Sequence, residues 1–227
     1  MNDVVNPEKM SLRTFPRIND MAPEFTARTT QGVVSLSDYA GKWLILFSHP
    51  ADFTPVCTSE FIELEKASDK FAALNCELLG LSADSVYSHI AWLLNIEERF
   101  GVKVNFPIIE DLSLVIAEAY GMIDEQSTST ATVRSVYFIN PEGIIKAHIH
   151  YPMSVGRSVD EILRILSALV ATEAGDKVAP AGWREGDKLV LAPPVTMRGV
   201  RERMKANQKN SDENSDWYFT KIVPEEQ

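Results

Sequence analysis

Cys57 occupies the kind of position where a thiol can become a nucleophile. It ends the run His49-Pro-Ala-Asp-Phe-Thr-Pro-Val-Cys57 and is followed by Thr-Ser-Glu60, where an apolar strand-like run gives way to a helical pattern. A sulfur in the first turn of a helix meets unpaired backbone N–H groups and the positive end of the helix dipole, and both favour a thiolate. Pro50 and Pro55 stiffen the approach and keep the backbone out of helix before the turn. Thr54, three residues upstream, can bring a hydroxyl to the sulfur or to an oxygen bound beside it. The competing reading is a buried thiol that behaves as a small hydrophobe, as most free cysteines do. Cys76 shows what that looks like: it enters a strand pattern in Leu74-Asn-Cys-Glu-Leu-Leu79 with no proline, threonine or helix start around it. It reads as structural, with resolution of an oxidised Cys57 as the alternative. His148-x-His150 puts two rings on one face of a strand at a metal-like spacing. With no acidic or cysteine partner nearby, ordinary strand histidines are the better reading.

The elements that must hold Cys57 follow from hydrophobic periodicity. Trp43-Leu-Ile-Leu-Phe47, between Gly41 and Pro50, reads as a strand buried on both faces. Residues from about Cys57 to Leu74 read as one helix, with Phe61, Leu64, Phe71 and Leu74 on its apolar side. Glu77–Leu81 is a second strand. Val86, His89, Leu93, Ile96 and Phe100 mark a further helix closed by Gly101. Val104–Ile109, interrupted by Pro107, is a third strand, and Leu112–Tyr120 a short helix ended by Gly121. The polar stretch Asp124–Thr130 reads as a loop. Val133–Ile139 and Ile144–Ile149 flank the turn Asn140-Pro-Glu-Gly143 as a hairpin. Ser158 and Glu161 form a capping box opening a helix to about Thr172. Alternating strands and helices predict a three-layer α/β domain over 1–174. From about Gly175 the composition changes, with a charged helix over Arg198–Asn210 and an aromatic strand-like piece at Trp217–Val223. Residues 175–227 are therefore read as a small C-terminal extension with little core of its own.

Composition narrows the function. The chain has 227 residues with 22 basic and 32 acidic side chains, so 22 − 32 leaves a net charge of −10. An acidic balance argues against general nucleic-acid binding, which needs a basic surface. Two cysteines cannot build a disulfide scaffold or a four-cysteine zinc or iron–sulfur site. There is no apolar leader in residues 1–20 and no run of about 18 apolar residues. The expectation is a cytoplasmic protein with reduced thiols, no membrane span and no cofactor.

The pattern Pro50-x-x-x-Thr54-x-x-Cys57 resembles the active site of the peroxiredoxins. The longer string FSHPADFTPVCTSEF is similar to their one-cysteine, peroxiredoxin-six-type subfamily. The likeness continues through LGLSADSVYSHIAW, FPIIED and GRSVDEILR to APAGWREGDKLVLAPP, which resembles the C-terminal extension of that subfamily. The resemblance implies a thioredoxin-like three-layer sandwich and a thiol peroxidase that reduces hydrogen peroxide and organic hydroperoxides through a sulfenic acid on Cys57. It also implies roles. Thr54 bonds the sulfur or the peroxide oxygen, Arg134 bonds the thiolate and substrate, and Pro50 shields the site. Glu60 orients the arginines, Arg157 is a second arginine near the thiolate, and His49 flanks the sulfur, stabilising its oxidised form or moving a proton. The substrate-binding set is Arg134, Arg157 and Thr54, with no metal.

Two departures bear on mechanism. Some one-cysteine relatives carry a Gly-Asp-Ser-Trp-Gly phospholipase motif, whereas the corresponding stretch here is Ser37-Asp-Tyr-Ala-Gly-Lys-Trp43, so that activity is not carried over. Nor does this sequence have a cysteine after Cys76 to resolve Cys57 from the extension. The implied partners are an external thiol reductant (thioredoxin-like, glutathione or another small thiol) and a second subunit, forming a homodimer or a higher ring. A slow-turnover redox sensor or chaperone-like assembly and a purely structural thioredoxin-like module are the competing classes.

Overall fold

The computed structural model describes residues 15–123, 129–208 and 215–222. The chain divides into two compact units, one through Arg157 and the other from Ser158. The first is built on a seven-stranded sheet. In chain order its strands are β1 (Thr26–Thr29), β2 (Gly32–Ser35), β3 (Trp43–Ser48), β4 (Cys76–Ser82), β5 (Ile108–Glu110), β6 (Arg134–Ile139) and β7 (Ile145–Tyr151). Their spatial order is β2-β1-β5-β4-β3-β6-β7. Strands β3, β4 and β5 run parallel. The β6–β7 hairpin joins β3 antiparallel, and the β1–β2 hairpin joins β5 the same way.

Every residue of β3 is buried, as expected for a central strand covered on both faces. Its alternation divides the core into two layers. Leu44 and Leu46 share a cluster with Leu79, Leu81, Tyr137 and Ile139, covered by Ile116 and Ala117 of helix α4 (Val115–Ala119) and by Leu36. On the opposite face Phe47 meets Phe61 of α1 (Pro55–Lys66) edge-on at 5.6 Å. Phe61 packs in turn on Trp92 of α3 (Val86–Phe100) at 4.6 Å. This is the α/β/α layering the sequence predicts, within the first unit alone.

The differences from expectation are local. The helix predicted from Cys57 to Leu74 begins earlier, with Thr54 as N-cap and Pro55 in the first turn. It then breaks at Ala67, where the backbone turns to φ −96°, ψ 2° before α2 (Ser68–Ala73). Leu64 and Phe71 both remain buried across the break, so the bend lets two helical stripes reach one sheet. Strand β5 starts only after Pro107, which has no N–H for the ladder. Its carbonyl still accepts from the Gly80 N–H at 3.0 Å. The helix expected from Leu112 is shortened to α4 because Leu114 takes a left-handed φ of 62°. The Asp111 carboxylate then accepts the N–H of Ala117 at 2.7 Å, capping the helix from outside. The β1–β2 hairpin escaped the sequence reading, because Thr26–Ser35 carries few apolar residues and only two of its eight strand residues are buried. Most of the loop expected at Asp124–Thr130 lies outside the described residues.

The second unit opens with α5 (Val159–Thr172), whose N-cap Ser158 accepts the Glu161 N–H as expected. It continues through β8 (Lys177–Val178), β9 (Leu189–Leu191), α6 (Met197–Asn207) and β10 (Lys221–Ile222). β8, β9 and β10 form a three-stranded sheet with β9 in the centre. The aromatic piece at the end of the chain is thus a turn over Asp216–Phe219 leading into a short strand. Its last expected residue, Val223, and the expected helical residues 209–210 lie outside the described residues. Leu189, Val190 and Trp183 are buried, while no residue of α6 is.

Leu79, fully buried in β4, should be a sensitive point of the first unit. Leu79→Ala is expected to cost about 2–5 kcal/mol. Val33→Ala, on the exposed side of β2, should fall within about 0.5 kcal/mol. Urea unfolding of the two variants checks the contrast.

Candidate active site

The loop after β3 and the start of α1 place the sulfur. Pro50 is buried where the strand ends, and Phe53 adopts a left-handed φ of 54°. That conformation is costly for a bulky residue and is characteristic of functional loops. Thr54 caps the helix by its backbone geometry, and its hydroxyl donates to the Ala51 carbonyl at 2.9 Å. The hydroxyl proton is therefore committed, while the oxygen's lone pairs can accept from a ligand. Cys57 is the third residue of α1, within the turn whose N–H groups lack helical partners.

Two side chains distant in sequence, Arg134 and Arg157, close around this turn and meet Glu60. Arg134, the first residue of β6, donates from Nη1 to Cys57 Sγ at 3.2 Å and to Glu60 Oε2 at 2.8 Å. Its Nε and Nη2 are held by the Met153 carbonyl at 3.0 and 2.9 Å. Arg157 grips Glu60 with two parallel bonds, Nε to Oε1 at 2.9 Å and Nη2 to Oε2 at 2.7 Å. Its backbone N–H adds a third at 2.8 Å. The close approach of that backbone depends on Gly156, where a Cβ would lie 3.3 Å from Val56 Cγ1. The Arg157 Nη1 reaches the carbonyls of Ser48 and Ser135. Relative exposures are 0% for Cys57, 3% for Glu60 and Arg134, and 7% for Arg157.

Burial makes the charge count informative. Two guanidinium cations and one carboxylate leave one positive charge in a site almost without water. An uncompensated buried charge costs several kcal/mol. A negative charge on the Cys57 sulfur, the atom to which the Arg134 Nη1 donates, would close the balance. Cys76 has no such charged surroundings: burial pushes its thiol pKa far up, and its sulfur donates to the Glu77 carbonyl at 3.5 Å.

His49 is fully buried and has company the sequence did not reveal. Its Nε2 bonds Asp52 Oδ1 at 2.9 Å, and Asp52 also meets His89 Nδ1 at 2.9 Å from Oδ2. Trp92 stacks on the His49 ring at 5.2 Å, and Phe61 meets it edge-on at 4.9 Å. Burial lowers the His49 pKa. Burial alone would raise that of Asp52, but bonds from both histidines outweigh it and hold the carboxyl well below its usual range. The signal for His89 was a titratable ring at a stripe position of α3; Asp52 had no signal beyond its place between the prolines. His148 and His150 pack with Tyr137, and Ser135 bonds the His150 ring at 2.9 Å. Neither belongs to the group of three metal-capable side chains found among the described residues.

A sulfur bonded by an arginine, with further donors and acceptors around it, would when ionised suit attack on an oxygen whose leaving partner gains negative charge. The chain is similar to known proteins over most of its length. The AhpC/TSA family matches residues 18–148, and the C-terminal domain of 1-Cys peroxiredoxin matches residues 168–207. A peroxiredoxin of Methanosarcina mazei is 46% identical over 212 residues, covering 90% of this chain and 96% of the relative. Among solved structures, a yeast mitochondrial 1-Cys peroxiredoxin is similar with a TM-score of 0.79 and 38% identity, over 91% of this chain and 99% of the other. That structure was described for thiol resolution through glutathione and thioredoxin systems. A cysteine-to-serine mutant of peroxiredoxin 6 from Arenicola marina gives a TM-score of 0.80 at 30% identity, over 93% and 99% of the two chains. The fold is thioredoxin-like, and this chain belongs to the peroxiredoxin family of thiol-dependent peroxidases.

Proposed function

We propose that Cys57 is the peroxidatic nucleophile for hydrogen peroxide and organic hydroperoxides. The Cys57 thiolate attacks the terminal oxygen of ROOH. A sulfur–oxygen bond forms, the O–O bond breaks, and the electron pair leaves with RO⁻, which takes a proton to become water or alcohol. Sulfur is oxidised to the sulfenic acid as the peroxide is reduced. Thr54 accepts a hydrogen bond from the peroxide hydroxyl, and Arg134 bears on both sulfur and departing oxygen. Glu60 and Arg157 hold Arg134 in place, with Arg157 adding positive charge; Pro50 shields the pocket. His49 accepts a hydrogen bond from the hydroxyl of the sulfenic acid. The buried cluster that is neutral only with an ionised Cys57 supports this reading most directly.

Turnover then requires an external thiol, of the glutathione or thioredoxin kind. It attacks the sulfenic acid to give a mixed disulfide and water, and a second thiol releases Cys57. With its thiol disfavoured from ionising, Cys76 is a poor resolver. The two-cysteine sequence suits the reducing cytoplasm, and among the described residues no helix is long and apolar enough to cross a membrane. Residues 175–227 are read as an arm that joins subunits into a homodimer. Val195, Met197, Met204 and Tyr218 are exposed on it, and apolar surface of this kind needs cover.

Cys57→Ser is expected to abolish peroxide consumption in the presence of a dithiol, and Cys76→Ser to keep nearly all of it. Intact mass after one equivalent of peroxide should show one added oxygen only where Cys57 is present. Full activity in Cys57→Ser would reject the assignment. Arg134→Lys keeps the charge but loses the fork, and should slow Cys57 oxidation in stopped-flow by about a hundredfold or more. A chain ending at residue 174 should sediment as a monomer at concentrations where the full chain is dimeric.

A further inference from the structure

The buried trio His49, Asp52 and His89 has a hydrogen-bond pattern that admits few arrangements of its protons. The His89 Nε2 faces the Ile109 carbonyl at 3.1 Å. A carbonyl only accepts, so this nitrogen carries a proton. The His89 Nδ1 faces both Asp52 oxygens, at 3.1 and 2.9 Å. An ionised carboxylate also only accepts, which puts a second proton on His89 and makes it an imidazolium paired with Asp52. The remaining capacity of Asp52 Oδ1 is directed at His49 Nε2 at 2.9 Å, so that nitrogen is a donor too. His49, kept neutral by burial, then has its single proton on Nε2. Its Nδ1 is left bare and has no hydrogen-bond partner among the described residues.

An unpaired buried acceptor costs about 1–3 kcal/mol and calls for an explanation. We infer that Asp52 and His89 are positioning residues that hold His49 in the Nε2–H tautomer, reserving Nδ1 as an acceptor for the hydroxyl of the Cys57 sulfenic acid. This rests on the reading of Cys57 as the peroxidatic residue. The rings around His49 keep the same orientation. Trp92 stacks on it with an interplanar angle of 29° and is tied by its Nε1 to the Thr58 hydroxyl at 3.2 Å, next to Cys57 in α1. Phe61, one turn beyond Cys57 in the same helix, closes on the ring edge. The lock supplies no proton to the first step. Hydrogen peroxide and the thiolate give S–OH and hydroxide, and only then does the S–OH group have a hydrogen to donate. A histidine of lowered basicity accepts that hydrogen bond without removing the proton.

The test uses the full chain labelled with ¹⁵N-histidine and observed by NMR, reduced and after one equivalent of hydrogen peroxide. In the reduced protein His49 should show a protonated Nε2 and a bare Nδ1, and His89 two protonated nitrogens. On oxidation the His49 Nδ1 resonance should shift towards the hydrogen-bonded range. Asp52→Asn can still accept from His49 while donating to a neutral His89. It should therefore keep the His49 tautomer and the oxidation shift while His89 loses one proton. Asp52→Ala should let the two His49 nitrogens average and lose the shift. A His49 protonated on Nδ1 in the wild type, or an unchanged tautomer in Asp52→Ala, overturns the lock. An absent shift when mass shows one oxygen on Cys57 overturns its role towards the sulfenic acid and leaves the peroxidase reading intact. If Cys57 gains no oxygen, that reading and the acceptor role built on it both fail, and the reduced spectrum still decides the lock.

Discussion

The site depends on one buried carboxylate. Glu60 lies a single turn beyond Cys57 and takes hydrogen bonds from two guanidinium groups and one backbone N–H. Without it, Arg134 and Arg157 would face each other as like charges in a medium that screens them poorly. With it, they form a cluster one negative charge short of neutral, and the Arg134 Nη1 proton shared with the sulfur marks where that charge belongs. Isolated buried ion pairs are weak contributors to stability. The value of this arrangement is positional: it aims one fixed donor, the Arg134 Nη1, at the sulfur.

The rest of the first unit can be understood as support for that cluster. The β3 strand sets the depth of the loop from His49 to Thr54, and α1 carries Cys57 and Glu60 on one side at helical spacing. The antiparallel β6 brings Arg134 alongside β3. The Met153 carbonyl, beyond the end of β7, fixes the far side of the Arg134 guanidinium. On the same face of the sheet the aromatic layer of Phe47, Phe61 and Trp92 excludes water and encloses the His49–Asp52–His89 chain. The Glu60 and Asp52 clusters thus share one apolar wall, each carboxylate hydrogen-bonded in the way low-dielectric surroundings require.

Much of this was legible in advance, for identifiable reasons. Strand β3 announced itself by an unbroken apolar run, α3 by its stripe and its Gly101 stop, and α5 by Ser158 and Glu161. In each case the signal lies within one turn or one strand length. The reading failed where a contact from elsewhere decided the outcome. A continuous apolar periodicity could not show the break at Ala67, and the weakly apolar Thr26–Ser35 hairpin is stabilised by pairing to β5. At the site, the residue types around Cys57 were readable and the pairing of Asp52 with His49 and His89 was not. Arg134 and Arg157, taken alone, look like ordinary strand-edge and pre-helix charges, and only resemblance to a family singled them out.

The sequence by itself determined a cysteine at a proline-framed helix start, an alternating α/β order, and a chain in which only one of two thiols has that framing. These are local properties, expressed through backbone restriction and periodicity over a few residues. Tertiary structure alone decided what surrounds the sulfur. The Arg134–Glu60 bond spans 74 positions and the Arg157–Glu60 bonds 97, while Asp52 meets His89 across 37. Charge neutrality, tautomer and burial belong to such long-range pairs, because the electrostatic cost that selects them exists only once the core has excluded water.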